Sequence, residues 1–457
     1  MHSLAVSIDT KSNDGLLDTP LKVCVVYFQI SSGIVADIES TDLVVQRVDE
    51  TLDRCKRAKR IPKCHLLDLA AAGLPREPQH RRKQQQALLS IFHPHPSRIS
   101  QYHCIIMANL YKVCIVGSGN WGSAIARIVG STVTKFDKFD NSVNMYVYEE
   151  MVDGRKLSEI INTEHENVKY LPGRKLPENI VAVPDIKEAV RNSNLLIFVV
   201  PHQFVDGICN QIKGSLRSDV CGISLIKGFD CRGRGIELIS SAISRLLNIE
   251  MSVLMGANIA MEVADESFCE ATIGCKDRKI GTVWKELFTA SYFRTSIVLD
   301  PQTVELCGAL KNIIAVASGF VMGLCHSDNT RAAMIRLGLI EMIRFITEFY
   351  GEARLETYFE SCGIADLITT CSMGRNQRVA EAFVSSGKTL AELEKEMLKG
   401  QYLQGPLTAM EANKFLQEKN LEKDFPIFTA VYEICYHNRP VKTIIDAMRE
   451  ASTHAKL

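Results

Sequence analysis

Of the fifteen cysteines no two are spaced C-x-x-C, and no secretory signal opens the chain. The cysteines are scattered singly, often inside apolar runs (Cys114, Cys307, Cys435), the pattern of reduced, buried thiols in an intracellular protein rather than of a disulfide framework. An excess of either charge is also missing. Lys+Arg and Asp+Glu number 53 each, so no global field draws the chain to nucleic acid or to an anionic membrane. Long hydrophobic runs are absent too: the longest, at 195–201 and 313–324, fall short of the roughly 20 residues that cross a bilayer. A soluble protein is expected, with no nucleic-acid partner and no stable membrane insertion. Its 46% hydrophobic and 23% charged residues are those of an ordinary globular chain, and 457 residues predict two or three domains.

Residues 1–106 differ from the rest. Charges, Ser and Pro mix there without a sustained period, and His80–Gln86 (HRRKQQQ) is a polar, low-complexity run. One strand is predicted within residues 22–30 and one helical turn at 87–92. His93 and His95, with Cys55, Cys64 and His65, fit no zinc spacing, so no metal site is assigned. Numerous acidic residues argue against a mitochondrial transit peptide. Residues 1–106 are expected to be an extension of low order, with Met107 at the natural start of the folded part.

From Met107 onward the chain is organised around YKVCIVGSGNWG, residues 111–122. Val113, Ile115 and Val116 have the composition of a buried parallel strand. It runs into Gly117, Gly119 and Gly122, spaced G-x-G-x-x-G, and then into a helical pattern. A dinucleotide pyrophosphate needs that order: a tight turn, close backbone approach, helix packed on strand, and the positive end of the helix facing the anion. A second strand is predicted over 142–148. It ends at Glu149, an acid placed to hydrogen-bond the adenosine ribose and to repel a 2′-phosphate, which favours NAD over NADP. Strands at 195–200, 222–226 and 252–255 end in Pro201-His202-Gln203-Phe204, in Lys227-Gly228 and in Gly256-Ala257-Asn258. In an open α/β sheet such ends border the ligand crevice. The fold class is therefore an α/β doubly wound Rossmann-type domain over 107–299, followed by an all-helical domain over 300–457.

In that second part a long helix is predicted over 302–324. Its centre, ELCGALKNIIAVASG, is apolar or small except for Glu305, Lys311 and Asn312. A lysine on such a face must find an acid or lose its proton easily, and this makes Lys311 a candidate general acid/base. Asp366, Thr369 and Thr370 lead to a predicted Gly374-Arg375-Asn376 turn whose guanidinium fork, amide and hydroxyls suit a phosphate. Gln404-Gly405-Pro406 is predicted as another turn, with a helix from Leu407.

These pieces resemble the cytosolic NAD-dependent glycerol-3-phosphate dehydrogenases, from about Asn109 to His454. The likeness is carried by GSGNWGSA (117–124), VVPHQF (199–204), SLIKG (224–228), GANIA-x-EVAD (256–265), ELCGALKN (305–312), DNT-x-AA (328–333), ESCG-x-ADLITTC (360–371), GRN (374–376) and LQGP (403–406). The resemblance implies that Lys311 is the catalytic lysine, with Lys227 and Asp366 beside it. It implies substrate contacts at Lys227, Asn312, Thr370, Arg375 and Asn376, the last two serving the phosphate. It implies NAD contacts at Gly117, Ser118, Gly119, Asn120, Trp121, Gly122, Phe204, Lys227, Ala260, Arg375 and Gln404, while Tyr148 stands where the family often has Phe. It further implies a homodimer, a phosphate-bearing small-molecule substrate and a cytoplasmic location. Three departures stand out: the 106-residue extension, residues 321–326 in place of a more glycine-rich turn, and Met373 where Gly is usual. The terminal Ala455-Lys456-Leu457 is similar to a peroxisomal address and points to a peroxisomal fraction. Two other functions remain open at this level: another hydroxy-acid or sugar-phosphate dehydrogenase, and a catalytically idle NAD(H)-sensing protein.

Overall fold

The computed structural model describes residues 110–457 except 231–236, 352–353, 399–402 and 454–457, together with residues 8–9 and 25–26. The chain divides into two compact units, Met1–Ala108 and Asn109–Leu457. In the first, Ile8–Asp9 pairs antiparallel with Val25–Val26, the latter inside the strand expected over 22–30. The helical turn at 87–92, the low order of residues 1–106, the start at Met107, the His93 and His95 group and the C-terminal tripeptide lie outside the described residues.

The second unit is built on eight strands: β1 (Tyr111–Val116), β2 (Phe139–Tyr146), β3 (Ile180–Val183), β4 (Leu195–Phe198), β5 (Cys221–Ser224), β6 (Glu250–Met255), β7 (Cys269–Gly274) and β8 (Phe293–Val298). Their order across the sheet is 8-7-6-5-4-1-2-3. Strands β1 to β6 are mutually parallel, β7 runs antiparallel to β6, and β8 is parallel to β7. The run 3-2-1-4-5-6 is the dinucleotide-binding order, and its switch point lies between β1 and β4.

Period-two alternation explains why β1 and β4 are solid apolar runs: both of their faces are covered. Val113, Ile115, Leu195 and Ile197 pack on one side, against α1 (Asn120–Val133). Cys114, Val116, Leu196 and Phe198 pack on the other, against Ile186–Val190 and Val205–Ile212. The second strand begins and ends earlier than 142–148, because Phe139 is drawn under the sheet edge while the chain leaves the ladder after Tyr146. Strands β3, β7 and β8 were not predicted. β3 and β8 are edge strands, and the partial exposure of β8 from Arg294 onward leaves no apolar run to read.

The helical part is threaded by α2 (Pro301–Gly323), which matches the expected 302–324. Asp300 caps it by accepting from Thr303 N at 3.2 Å, and Pro301 occupies its first position, where no amide is needed. Residues 303–321 are all buried, and apart from Glu305, Lys311 and Asn312 α2 is apolar or small on every face, as a helix enclosed by protein must be. By length and composition alone it could cross a membrane; here α3 (Asp328–Tyr350), α4 (Asp366–Met373), α5 (Arg375–Ser386), α6 (Gln404–Lys419) and α7 (Pro426–Tyr436) surround it, with β6 and β7 against its N-terminal half. The predicted Gly-Arg-Asn turn is a single-residue joint. Gly374 ends α4 and begins α5, so both threonines are helical. Helix α6 begins at Gln404 rather than Leu407, because a proline in a first turn removes no intrahelical bond. Where the family has a glycine-rich turn, Cys325 adopts a left-handed φ of 57°, a conformation that costs a residue with a Cβ about 1 kcal/mol or more. Met373 is the exposed last residue of α4.

Candidate active site

The three glycines after β1 are required for three different reasons. Gly117 has φ +125°, and a Cβ there would lie 2.8 Å from Val200 Cγ1. At Gly122 a Cβ would collide with the Gly117 carbonyl oxygen, so that position lets α1 close on the loop. Gly119 has an ordinary φ of −66° and nothing within 4 Å of an added Cβ. The protein's own packing does not require glycine there, and the open backbone is free for a ligand to lie against. Gly119 is also the N-cap of α1, with no side-chain cap and no acid in the first turn, so the first amides, from Asn120 and Trp121 on, remain for an anion. This cradle fits a dinucleotide pyrophosphate. Ser118 is buried behind it, and the Trp121 ring packs 6.3 Å from that of Phe293.

On either side of the loop the neighbouring strands end in exposed aromatics, Tyr148 beyond β2 (71% exposed) and Phe204 beyond β4. Ala260 begins the short helix after β6 and is half-buried. The acids beyond β2 are already bonded within the protein. Glu149 accepts from Ser158 N (3.3 Å) and Ser158 Oγ (2.6 Å), capping Leu157–Glu164. Glu150 accepts from Tyr170 OH (2.7 Å) and from Lys169. The adenosine-ribose position assigned to Glu149 is therefore also a helix cap.

The residues of reactive type converge at the mouth of the sheet. Lys227, just past β5, donates to Gly256 O (3.2 Å) and to Asp366 Oδ2 (2.8 Å). Lys311, one of the buried residues of α2, donates to the other carboxylate oxygen, Oδ1, and to Thr370 Oγ1 (2.6 Å). One carboxylate thus bridges two ammonium groups from opposite halves of the fold, with the Lys311 and Asp366 side chains only 5% and 3% exposed. Burial pulls the Lys311 ammonium down to about 7; the Asp366 charge opposes this and the Lys227 charge adds to it. Asp366 is aimed by a π-helical turn, Ser361–Ala365, a feature that shifts the register of the following helix and recurs at functional sites.

A second set joins three helices. Asn376 Nδ2 donates to Asn312 Oδ1 (2.8 Å), and Asn376 Oδ1 accepts from Gly405 N (2.9 Å). Asn312 also donates to Gly308 O and Ala309 O of its own helix. These amides, assigned to the substrate, brace α2, α5 and α6 against one another, and they bring half-buried Gln404 to the start of α5. Arg375 remains exposed, yet protein crowds its guanidinium and desolvation lowers its pKa, as on the wall of a cleft. Among the described residues no group of three His, Cys, Asp or Glu comes together to hold a metal ion.

Sequence reasoning missed Ser361. Its Oγ donates to Glu270 O (2.5 Å) and accepts from Ala257 N (3.4 Å), tying the loop that grips Lys227 to the turn that presents Asp366. Its partners lie about a hundred residues away, so no local signal marks it.

Comparison with known proteins finds likeness to both parts of the second unit. The family model described as NAD-dependent glycerol-3-phosphate dehydrogenase N-terminus matches residues 112–281, and the corresponding C-terminus matches 300–446. The cytoplasmic glycerol-3-phosphate dehydrogenase [NAD(+)] of Drosophila ezoana is 59% identical over 349 residues, which cover 76% of this chain and all of the relative. That of Rattus norvegicus is 58% identical over 344 residues, covering 75% and 99%. The solved glycerol-3-phosphate dehydrogenase of Saccharomyces cerevisiae superposes with a TM-score of 0.71 at 45% identity, covering 74% of this chain and 99% of that one. With family models matched on both parts of the second unit and relatives matched over nearly their full length, the chain belongs to the NAD-dependent glycerol-3-phosphate dehydrogenase family.

Proposed function

We propose that the chain catalyses reversible hydride transfer between NADH and dihydroxyacetone phosphate, giving sn-glycerol 3-phosphate and NAD. The observation that carries this reading is the Lys311–Asp366–Lys227 bridge at the C-terminal end of a dinucleotide-binding sheet. NADH, when bound, supplies the hydride that the substrate's C2 carbon receives. Residues 107–299 hold the dinucleotide through Gly117, Ser118, Gly119, Asn120, Trp121 and Gly122, with Tyr148, Glu149, Phe204 and Ala260 beside them. Residues 300–457 supply the substrate's partners, and Arg375 and Gln404 reach the cofactor from that side.

Of the three N–H donors of the Lys311 ammonium, two are committed to Asp366 and Thr370, which leaves one for the ketone oxygen. A pKa near neutrality lets Lys311 give a proton to an oxygen that is becoming an alkoxide and take it back in the reverse direction. Lys227 adds positive charge at the same oxygen, and Asp366 holds both ammonium groups in place while it supports their charge. Stabilising charge that grows only during reaction is worth several kcal/mol. Arg375 and Asn376 hold the phosphate, and with Asn312 and Thr370 they turn remote binding into orientation at C2. We further propose that the enzyme is a homodimer in the cytoplasm, with a peroxisomal fraction directed by Ala455-Lys456-Leu457.

Following NADH loss at 340 nm, a wavelength at which only the reduced nicotinamide absorbs, tests the reading. Dihydroxyacetone phosphate is expected to support turnover and free dihydroxyacetone to be ignored. No oxidation with the phosphate ester would overturn the activity, and equal rates with both would overturn the phosphate site.

A further inference from the structure

The peptide that faces the expected pyrophosphate is held from behind by two side chains, of which Asn167 comes from outside the loop and its helix. Asn167 lies between the helix Leu157–Glu164 and β3, and it is completely buried (0% exposed). Its Nδ2 donates to Ser118 O (2.8 Å) and to Ser123 Oγ (2.9 Å), while Oδ1 accepts from Tyr170 N (3.1 Å). Ser123 Oγ in turn donates to Ser118 O (3.3 Å). Two donors from separate parts of the chain thus hold one carbonyl, in the middle of the glycine loop.

A peptide unit is planar and trans, so the carbonyl of Ser118 and the N–H of Gly119 point in opposite directions. Fixing that oxygen inward, toward Asn167, fixes the Gly119 amide in the opposite direction, and the Gly119 Cα has open space around it, with nothing within 4 Å of an added Cβ. Without the clamp the peptide could rotate about Ser118 ψ and Gly119 φ, the second freed by the missing Cβ, and the amide would no longer be ready for an anion. The same turn also reaches beyond β2: three residues after Asn167, Tyr170 OH donates to Glu150, the neighbour of the Glu149 assigned to the cofactor.

We propose that Asn167 is a positioning residue for the dinucleotide. It locks the Ser118–Gly119 peptide with its amide presented to the pyrophosphate, and its turn braces the acidic end of β2 at the same time. This rests on the assignment of residues 117–122 as the pyrophosphate site.

The test measures NADH binding to the full-length protein directly, by fluorescence titration, alongside steady-state constants and melting temperature. Asn167→Ala removes two hydrogen bonds, the one to Ser118 O and the one that holds Ser123 Oγ, and is expected to raise the NADH Kd about tenfold or more. The KM for dihydroxyacetone phosphate and kcat at saturating NADH stay within about twofold, since the clamp touches neither. Gly119→Ala serves as the control for the underlying assignment: its methyl meets no protein atom, so it weakens NADH binding at unchanged melting temperature. If Gly119→Ala weakens binding and Asn167→Ala leaves the Kd within twofold of wild type, the clamp is refuted and the loop assignment stands. If neither moves the Kd, the loop assignment falls and the clamp falls with it. A lowered melting temperature with kcat and both Michaelis constants impaired alike would make Asn167 merely structural, and that too overturns the proposal. Should Asn167→Ala not fold, Ser123→Ala decides. It removes the other donor to the same carbonyl and is expected to raise the Kd about threefold; an unchanged Kd refutes the clamp.

Discussion

The glycine loop after β1 and the centre of α2 are the two regions assigned to anionic ligands, and they are built from opposite materials. The loop offers backbone amides and a helix end, with no charged side chain in the first turn of α1. The helix offers a buried ammonium, a second ammonium and the carboxylate between them. The difference lies in the tasks. Holding a pyrophosphate requires only dipoles at fixed positions. Moving a proton requires a group that titrates near the working pH, which no amide does and which burial makes of Lys311.

Breaking the helix side should therefore leave cofactor binding nearly untouched. Lys311→Ala is expected to lower kcat about 10³-fold or more, the range of a lost general acid together with its charge. The NADH Kd should stay within about threefold of wild type, because the backbone cradle is unchanged. Rapid-mixing turnover set beside fluorescence titration checks both halves of the statement; a kcat close to normal would remove Lys311 from the chemistry. Asp366→Asn comes next, with kcat/KM falling about 10²-fold. Asp366 supports the proton on Lys311. Its loss lowers that pKa further, so the alkaline limb of the reduction rate shifts to lower pH. A profile that keeps its shape would mean that the carboxylate acts on folding alone.

Arg375→Ala sharpens the comparison from the substrate's side. Losing a charged partner of a phosphate costs on the order of 2–3 kcal/mol, so the KM for dihydroxyacetone phosphate should rise about 30- to 150-fold, with a smaller change in kcat. An unchanged KM would count against a phosphate contact at Arg375.

The two regions also differ in how plainly a sequence declares them. The glycine loop is one unbroken motif whose strand, turn and helix are neighbours in the chain, and the predicted β1 and α2 lie within a residue or two of the observed ones. The Lys227–Asp366 contact joins residues 139 apart and the Asn312–Asn376 contact residues 64 apart. Spacing could mark Lys311 as a lysine in need of a partner, but only family likeness supplied Asp366. Edge strands escaped because half of their surface is wet, and Ser361 because both of its partners lie in other strand ends. The amides of Asn312 and Asn376 show a further limit. Residue type announces hydrogen-bonding capacity, while the fold decides that much of it goes to bracing helices.

The smallest effect expected concerns a bond that crosses between the two regions. Glu305, six residues before Lys311 on α2 and fully buried, accepts from the N and Oγ of Ser240, capping the helix Ile239–Leu247 of the sheet half. Burial pushes its carboxyl up to about 7, against the pull of those hydrogen bonds. An unfolded glutamate titrates near 4.3, so between roughly pH 4 and 7 the folded chain holds a proton that the unfolded chain has lost. The resulting stabilisation is fully present below the unfolded value and disappears as pH rises through about 7, by on the order of 3 kcal/mol at most. Glu305→Gln keeps the cap, with its carbonyl oxygen accepting from Ser240 N, and has no proton to lose. Melting temperatures of the two proteins between pH 5 and 8 should therefore diverge, the wild type gaining on the variant as the solution is acidified, with the bend near neutrality. Parallel curves would place the proton elsewhere. NADH affinity measured in the same variant should not move, since Glu305 serves the joint between the halves and neither of the anion sites.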